Sequence, residues 1–384
     1  MLAFPNLLPK LRFPEFEENW KVTKLGDICK MQAGKFVSAS EVLKETNNKL
    51  YPCYGANGLR GFTYSYNYEG EYSLIGRQGA LCGNITRVYD KFYATEHAVV
   101  VTPKEEVHST WLFYLLNYLN LNQYATGMAQ PGLSVQNLLE VESIITDSIE
   151  EQEKIASLLL LIDSRIQTQK KIIEQLETLI KGVGYKLFNK KIRFKNTDLS
   201  EFPSWESKKG NEVFSNISNK NHNSELPILA ITQEYGAIPR DLIDFKISVT
   251  DKSVESYKIV EKGDFIISLR SFQGGIEYSE YKGICSPAYI ILRNKIEVNS
   301  YFYKYYFKSE YYIKQLNKKL EGIRDGKMIS YTYFSDINLP LPSVNEQTKI
   351  ANFLSSLQEK IETEKQILEK LELQKKFLLA NLFV

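Results

Sequence analysis

The chain has 384 residues, and its 48 Lys and Arg against 46 Asp and Glu leave a formal net charge of +2. That balance excludes a histone-like polycation, although a local basic face remains compatible with it. The 43% hydrophobic content excludes disorder over most of the chain, and the 25 tyrosines suit either half-buried strands or wet recognition surfaces.

The N-terminus, Met1 to Pro5 followed by Pro9 and Pro14, has no basic n-region and no unbroken apolar h-region, so no signal peptide is expected. The longest apolar run, Ile155 to Ile162, is far short of the about 20 residues that a membrane span needs. A cytoplasmic chain with no membrane role is expected. Cys29, Cys53, Cys82 and Cys285 form no C-x-x-C pair, and His97, His108 and His222 are the only histidines. Neither a zinc site nor another metal centre is expected, and the cysteines read as isolated thiols.

A first globule runs over about 1–148. It opens with Leu11-Arg12-Phe13-Pro14, Trp20 and Gly26-Asp27. The alternation Phe62, Tyr64, Tyr66, Tyr68 predicts a strand with one buried face. Gly70 to Ile75 and Ala98 to Val101 predict further strands, and Trp111 to Tyr124 a helix that leads into a glycine-containing loop, Gly127 to Ser134. A long helix follows over 149–190. The second globule, 191–342, has matching landmarks: Ile192-Arg193-Phe194, Trp205, Gly210-Asn211, Gly263 to Ser268, Tyr289 to Leu292 and a predicted helix Tyr301 to Leu320. A second long helix covers 343–384. Each globule reads as α/β with a twisted mixed or antiparallel sheet, and the fold class overall is mixed α+β.

The long helices are copies of one another. Glu151-Gln152-Glu153-Lys154-Ile155-Ala156 matches Glu346-Gln347-Thr348-Lys349-Ile350-Ala351, and 16 of 38 positions in 151–188 are identical 195 residues later. Leu159, Ile162, Ile166, Gln169, Ile173 and Leu176 recur in steps of three and four, continuing through Ile180, Val183 and Leu187. Their counterparts are Leu354, Leu357, Ile361, Glu364, Leu368 and Leu371. This is the seam of a coiled coil, in a rod of about 57 Å. If the rods pair antiparallel, Gln169 and Glu364 form a polar layer near the crossing point. Gly182 and Gly184 suggest a hinge into the second globule.

Catalytic signatures are absent. The stretch Gly322 to Met328 fails as a phosphate-binding loop by spacing and by its final residue, and no Gly-rich strand-to-helix turn marks a dinucleotide or methyl-donor site. Recognition features are present. Window 301–330 has seven basic and three acidic residues with interleaved tyrosines, whereas 109–140 has no Lys or Arg. Phosphate contacts with neighbouring base readout fit the first of these windows. The candidate DNA-binding residues are Arg60, Arg77, Gln78, Gln130 and Ser134 in the first globule. In the second they are Arg270, Gln273, Lys318, Lys319, Arg324, Lys327 and Ser330.

On Tyr51 to Gly58 and Gly76-Arg77-Gln78-Gly79-Ala80, on Leu226 to Gly236, Gly263-Asp264-Phe265 and Ser286-Pro287-Ala288-Tyr289, and on the two Glu-Gln-x-Lys-Ile-Ala starts, the chain resembles the specificity subunit of type I restriction–modification systems. The resemblance spans the whole chain. It implies two target recognition domains held apart by an antiparallel pair of long helices, each domain reading half of a split site in double-stranded DNA. It implies two methylation subunits as partners, with restriction subunits joining through them. Methyl donor, ATP and Mg²⁺ are then expected only in those partners, and no catalysis in this chain. A stand-alone bipartite DNA-binding regulator and a DNA-modifying enzyme are the competing readings.

Overall fold

The computed structural model describes residues 7–79, 81–127, 131–223, 225–243, 254–269, 271–318 and 329–384. They fall into two compact units. One comprises Met1–Lys170 with Gln366–Val384, the other Lys171–Lys365.

In the first unit, strand Lys21–Lys24 pairs antiparallel with Glu142–Ile145, the last strand before the first long helix. A four-stranded antiparallel sheet has the order Cys29–Ala33, Ala98–Pro103, Tyr72–Gly76, Ile85–Val88. Its second strand carries Val99-Val100-Val101, an unbroken β-branched run that favours a central strand buried on both faces. Side chains alternate across a strand, so Val99 and Val101 face the helix Ser109–Tyr118, packing with Trp111, Leu112 and Leu115. Val100 faces the opposite side and joins Leu74, Val88, Phe92 and Ala94 in a second core. That core is shared with a mixed sheet of Gly58–Thr63, Tyr51–Gly55, Lys91–Ala94 and Tyr68–Glu69, in which Tyr51–Gly55 and Lys91–Ala94 run parallel.

The second unit repeats the plan. Glu206–Lys209 pairs with Asn338–Leu341, and the four-stranded order is Phe214–Ile217, Ile290–Asn294, Phe265–Ile267, Glu277–Tyr278. Phe265 and Ile267 face the helix Ser300–Lys308, while Ile266 faces Leu229, Ala237, Val260 and Cys285. Two short antiparallel pairs, Leu229–Thr232 with Gly236–Pro239 and Lys258–Val260 with Gly283–Cys285, flank that second core.

The long helices are Ile149–Phe188 and Val344–Leu382. Each unit is closed by the start of one and the end of the other. Ile155, Ala156 and Leu159 share the first unit's core with Leu382 and Phe383. In the second unit Ile350, Ala351 and Leu354 share a core with Leu187 and Phe188. Within the first unit Asp163 pairs with Lys375 at 2.6 Å and Lys170 with Glu372 at 2.9 Å. Numbering rises on one helix as it falls on the other, so the helices are antiparallel there. In the second unit Glu177 pairs with Lys365 at 3.0 Å. Leu159, Ile162, Ile166, Gln169, Ile173, Leu354 and Ile361 are buried, and Leu176, Leu357, Glu364, Leu368 and Leu371 are half-buried.

Four local expectations are corrected. Gly182 and Gly184 make no hinge, because the first long helix runs unbroken through both to Phe188. The strand predicted through Tyr68 stops at Thr63, leaving Tyr64 and Tyr66 exposed. The helix predicted from Tyr301 is two helices, Ser300–Lys308 and Glu310–Lys318. Ser309 takes an extended conformation that ends the first, and its hydroxyl accepts from the Tyr312 amide to start the next. Similarly, left-handed Asn120 (φ 47°) divides the first globule's helix from a 3-10 turn, Leu121–Tyr124.

Candidate nucleic-acid interface

The repeated Glu-Gln opening of each long helix anchors its globule. Glu151 is fully buried and receives Arg12 through Nε at 2.7 Å and Nη2 at 3.0 Å, and the Trp20 indole at 3.3 Å. Glu346 does the same with Arg193 at 3.0 and 2.7 Å and Trp205 at 2.9 Å. Each arginine also donates to a backbone carbonyl, Glu18 at 2.6 Å or Pro203 at 2.7 Å. The hydrogen bond to the carboxylate holds both guanidinium groups above their ordinary pKa. The adjoining glutamines complete the joint. The Gln152 side chain donates to the Thr146 carbonyl at 2.9 Å and accepts from the His108 amide at 2.8 Å. Gln347 bridges the Pro342 carbonyl and the Asn299 amide, both at 2.8 Å. His108 and Asn299 cap equivalent helices, so each glutamine ties a globule's main helix to the long helix.

In the first unit, residues 55–58, 76–79, 81–84, 126–127 and 131–133 meet at one end of the sheets. Gly76 lies against the Ala56 carbonyl, where a Cβ would come within 2.1 Å, so no larger residue fits. Gly79 has φ +85° and Gln78 bridges to Gly132. Arg77 clasps two loops: its amide donates to the His97 carbonyl at 2.9 Å and its Nε to the Leu133 carbonyl at 3.1 Å, which spends one of the five guanidinium N–H donors. Arg60 is exposed on Gly58–Thr63 and forms no ion pair among the described residues, so it is available to a ligand. Ser134 caps the helix Val135–Leu139 by accepting from the Asn137 amide at 3.3 Å. Gln130 lies outside the described residues.

In the second unit, Gln273 is exposed on Ser271–Gly274. Lys318 ends the helix Glu310–Lys318, and Arg270, Lys319, Arg324 and Lys327 lie outside the described residues. Ser330 caps Tyr331–Ser335, accepting from the Tyr333 amide at 3.1 Å, as Ser134 does in the first unit. The aromatic half of the 301–330 reading is corrected: Tyr303, Tyr306 and Tyr312 are core residues, at most 1% exposed. Several of its cations are paired as well, Lys304 with Glu280 at 2.9 Å and Lys308 with Glu277 at 2.5 Å. Burial pushes the Glu277 carboxyl up, and Lys308 opposes that shift. Lys308 also reaches the Gln233 carbonyl at 3.3 Å, at the turn where Tyr235 is 57% exposed. Sequence reading passed over Gln233 and Tyr235 as site candidates, although the Thr232-Gln233-Glu234-Tyr235-Gly236 turn between apolar runs marks the loop.

Among the described residues no group of three or more His, Cys, Asp or Glu is placed to hold a metal ion. No helix among them is long and apolar enough to cross a membrane.

A family model described as the type I restriction modification DNA specificity domain matches the chain twice, over 17–178 and 191–373. The chain belongs to this family. The specificity family also supplies its relatives. The EcoprrI specificity subunit of Escherichia coli is 47% identical over 150 residues, 39% of this chain and 37% of that protein. The chain therefore matches little more than a third of that relative's length. The MjaVIII specificity subunit of Methanocaldococcus jannaschii is 26% identical, covering 95% of this chain and 92% of the relative. The S subunit of a type I restriction–modification system from M. genitalium has the same fold, with a TM-score of 0.66 at 19% identity over 98% of this chain and 99% of that one. A protein from a structural study of type I complex assembly and conformational transition gives 0.54 at 15% identity, over 94% and 96%. Membership in the specificity family sets aside the regulator and the DNA-modifying enzyme. The two family matches begin near the two Arg–Trp–Glu joints and run into the two long helices, so the family unit is a globule with its helix.

Proposed function

We propose that this chain is the DNA-recognition subunit of a type I restriction–modification complex, each globule reading one half of a bipartite site. The observation that carries the reading is the duplicated joint, Arg12–Glu151–Trp20 and Arg193–Glu346–Trp205, which locks two recognition globules to two matching helices. Two weak, short readouts on one frame multiply through effective concentration. The long helices set the separation of the half-sites and dock two methylation subunits, through which restriction subunits join. Methyl donor, ATP and Mg²⁺ act in those partners, and the target base flips into a methylation subunit. The exposed Arg60 and Gln273, with Lys318, Lys319, Arg324 and Lys327, serve phosphate and base contacts, while Ser134 and Ser330 shape the loops that carry them.

The test is an exchange of residues 10–148 for the corresponding globule of another family member. The chimera is expressed with its methylation subunits and the modified motif is read by methylome sequencing. One half of the motif is expected to change while the other half stays. A change in both halves, or in neither, refutes the division of labour.

A further inference from the structure

At the loop end of the first unit lies a cleft of about 250 Å³ whose polar lining is almost entirely carboxamide: Asn57, Asn84, Asn117 and Asn120, with Thr86 beside them. None of its lining residues is charged. The four asparagines come from three separate segments. Asn57 sits in the turn between Tyr51–Gly55 and Gly58–Thr63. Asn84 follows Gly83, which has φ +89° and would place a Cβ 2.4 Å from the Asn122 amide. Asn117 and Asn120 lie at the end of Ser109–Tyr118, Asn120 being left-handed. Their convergence is built into a fixed frame. The Gly76 amide donates to the Asn84 carbonyl at 2.9 Å, the Gly83 amide to the Gly76 carbonyl at 2.8 Å, and Asn122 Nδ2 to the Cys82 carbonyl at 2.6 Å. Among the described residues, only Asn117 of the four uses its side chain internally, donating to the Phe113 carbonyl at 2.7 Å.

A phosphate contact favours a cation, and this cleft has none. Carboxamides carry donor and acceptor together, the pairing that matches the N6 and N7 edge of adenine. The cleft opens beside Gly83, whose amide is held by the Gly76 carbonyl next to Arg77. The neutral character of 109–140 then has a use: it supplies base readout while the affinity comes from cations elsewhere. We infer that this asparagine-lined cleft is the specificity-determining site of the first unit and takes the major-groove edge of an adenine in its half-site. The inference rests on the bipartite-recognition reading above and adds the base class and the residues.

The experiment uses the full chain in complex with its methylation subunits, first wild type and then Asn84→Ala and Asn57→Ala, each checked for an unchanged melting temperature. The recognised motif is read by methylome sequencing. Binding is then measured against duplexes in which each base pair of the motif is replaced in turn. Discrimination is expected to fall by about 5- to 150-fold at one A·T position of one half-site, with the other half-site unchanged. An unchanged motif in both folded variants overturns the inference. So does relaxation at a G·C position, or equal loss of binding to every duplex. If wild type modifies no bipartite motif at all, the recognition reading itself fails, and the inference with it.

Discussion

A buried carboxylate stripped of its cation is among the costliest lesions a protein core can carry. Arg12→Ala leaves Glu151 at 0% exposure with only the Trp20 indole, so a loss of about 3–5 kcal/mol is expected in the first unit. Urea unfolding followed by tryptophan fluorescence checks this, and replacing both partners by apolar residues is expected to recover much of the loss. A change below about 1 kcal/mol contradicts the joint. The thiols give a second residue-scale prediction. Burial pushes Cys29 and Cys285 up to about 12 from an ordinary 9.0, and all four cysteines are buried. Their folded pKa is the raised one, so the stability they contribute is complete below pH 9.0 and lost as pH climbs toward about 12. At neutral pH a thiol reagent is expected to label the native protein slowly and the urea-unfolded protein at once; fast native labelling contradicts that burial. At this scale the sequence was a partial guide. Arg77 was visible as a polar residue between glycines, but only the fold reveals that the Leu133 carbonyl already holds its guanidinium.

Elements follow local chemistry where periodicity is strong and depart from it where a single residue decides. The heptad predicts both long helices, because a largely apolar seam recurs every third or fourth residue, and the seam positions from Leu159 to Leu176 and from Leu354 to Leu371 are buried or half-buried. Glycines in the first of them misled, since intrinsic propensity is a weak prior inside a helix held by tertiary packing. Nothing lies within 4 Å of a Cβ at position 182. Gly182→Ala is therefore expected to stabilise by about 0.5–1 kcal/mol, read as a rise in melting temperature, with DNA binding unchanged. A fall in DNA binding without unfolding restores the hinge. The Tyr-rich segment after Ser300 failed differently. Basic and aromatic residues suggested a binding face, but helical spacing carries Phe302, Tyr303, Tyr306 and Phe307 into the core. Which residues those tyrosines meet depends on strands distant in sequence, and no local pattern encodes that.

At the scale of the molecule the duplication was the most legible feature, because two copies of one pattern are compared within a single chain. What it could not convey is the loop geometry that places Asn57, Asn84 and Asn120 around one cleft, since that depends on left-handed and close-packed positions in three separate segments. The helix pair yields the remaining prediction. Removing four residues within 160–180, with the matching four within 355–375, shortens each rod by about 6 Å, close to two base pairs of duplex. Methylome sequencing is expected to return both half-sequences intact with the gap between them altered, and altered half-sequences contradict the spacing role. The shared closure of the first unit has a consequence in time. Leu382 and Phe383 belong to the same core as Trp111 and Leu159. The ribosome therefore makes the first globule long before the last two pieces of its core exist. At about 5–20 residues per second, the roughly 220 residues after Leu159 take on the order of 10–45 s. Through that interval the nascent N-terminal half carries an open apolar seat, so its core closes only after the second globule has been made and a lesion near residue 382 is felt in the half made first.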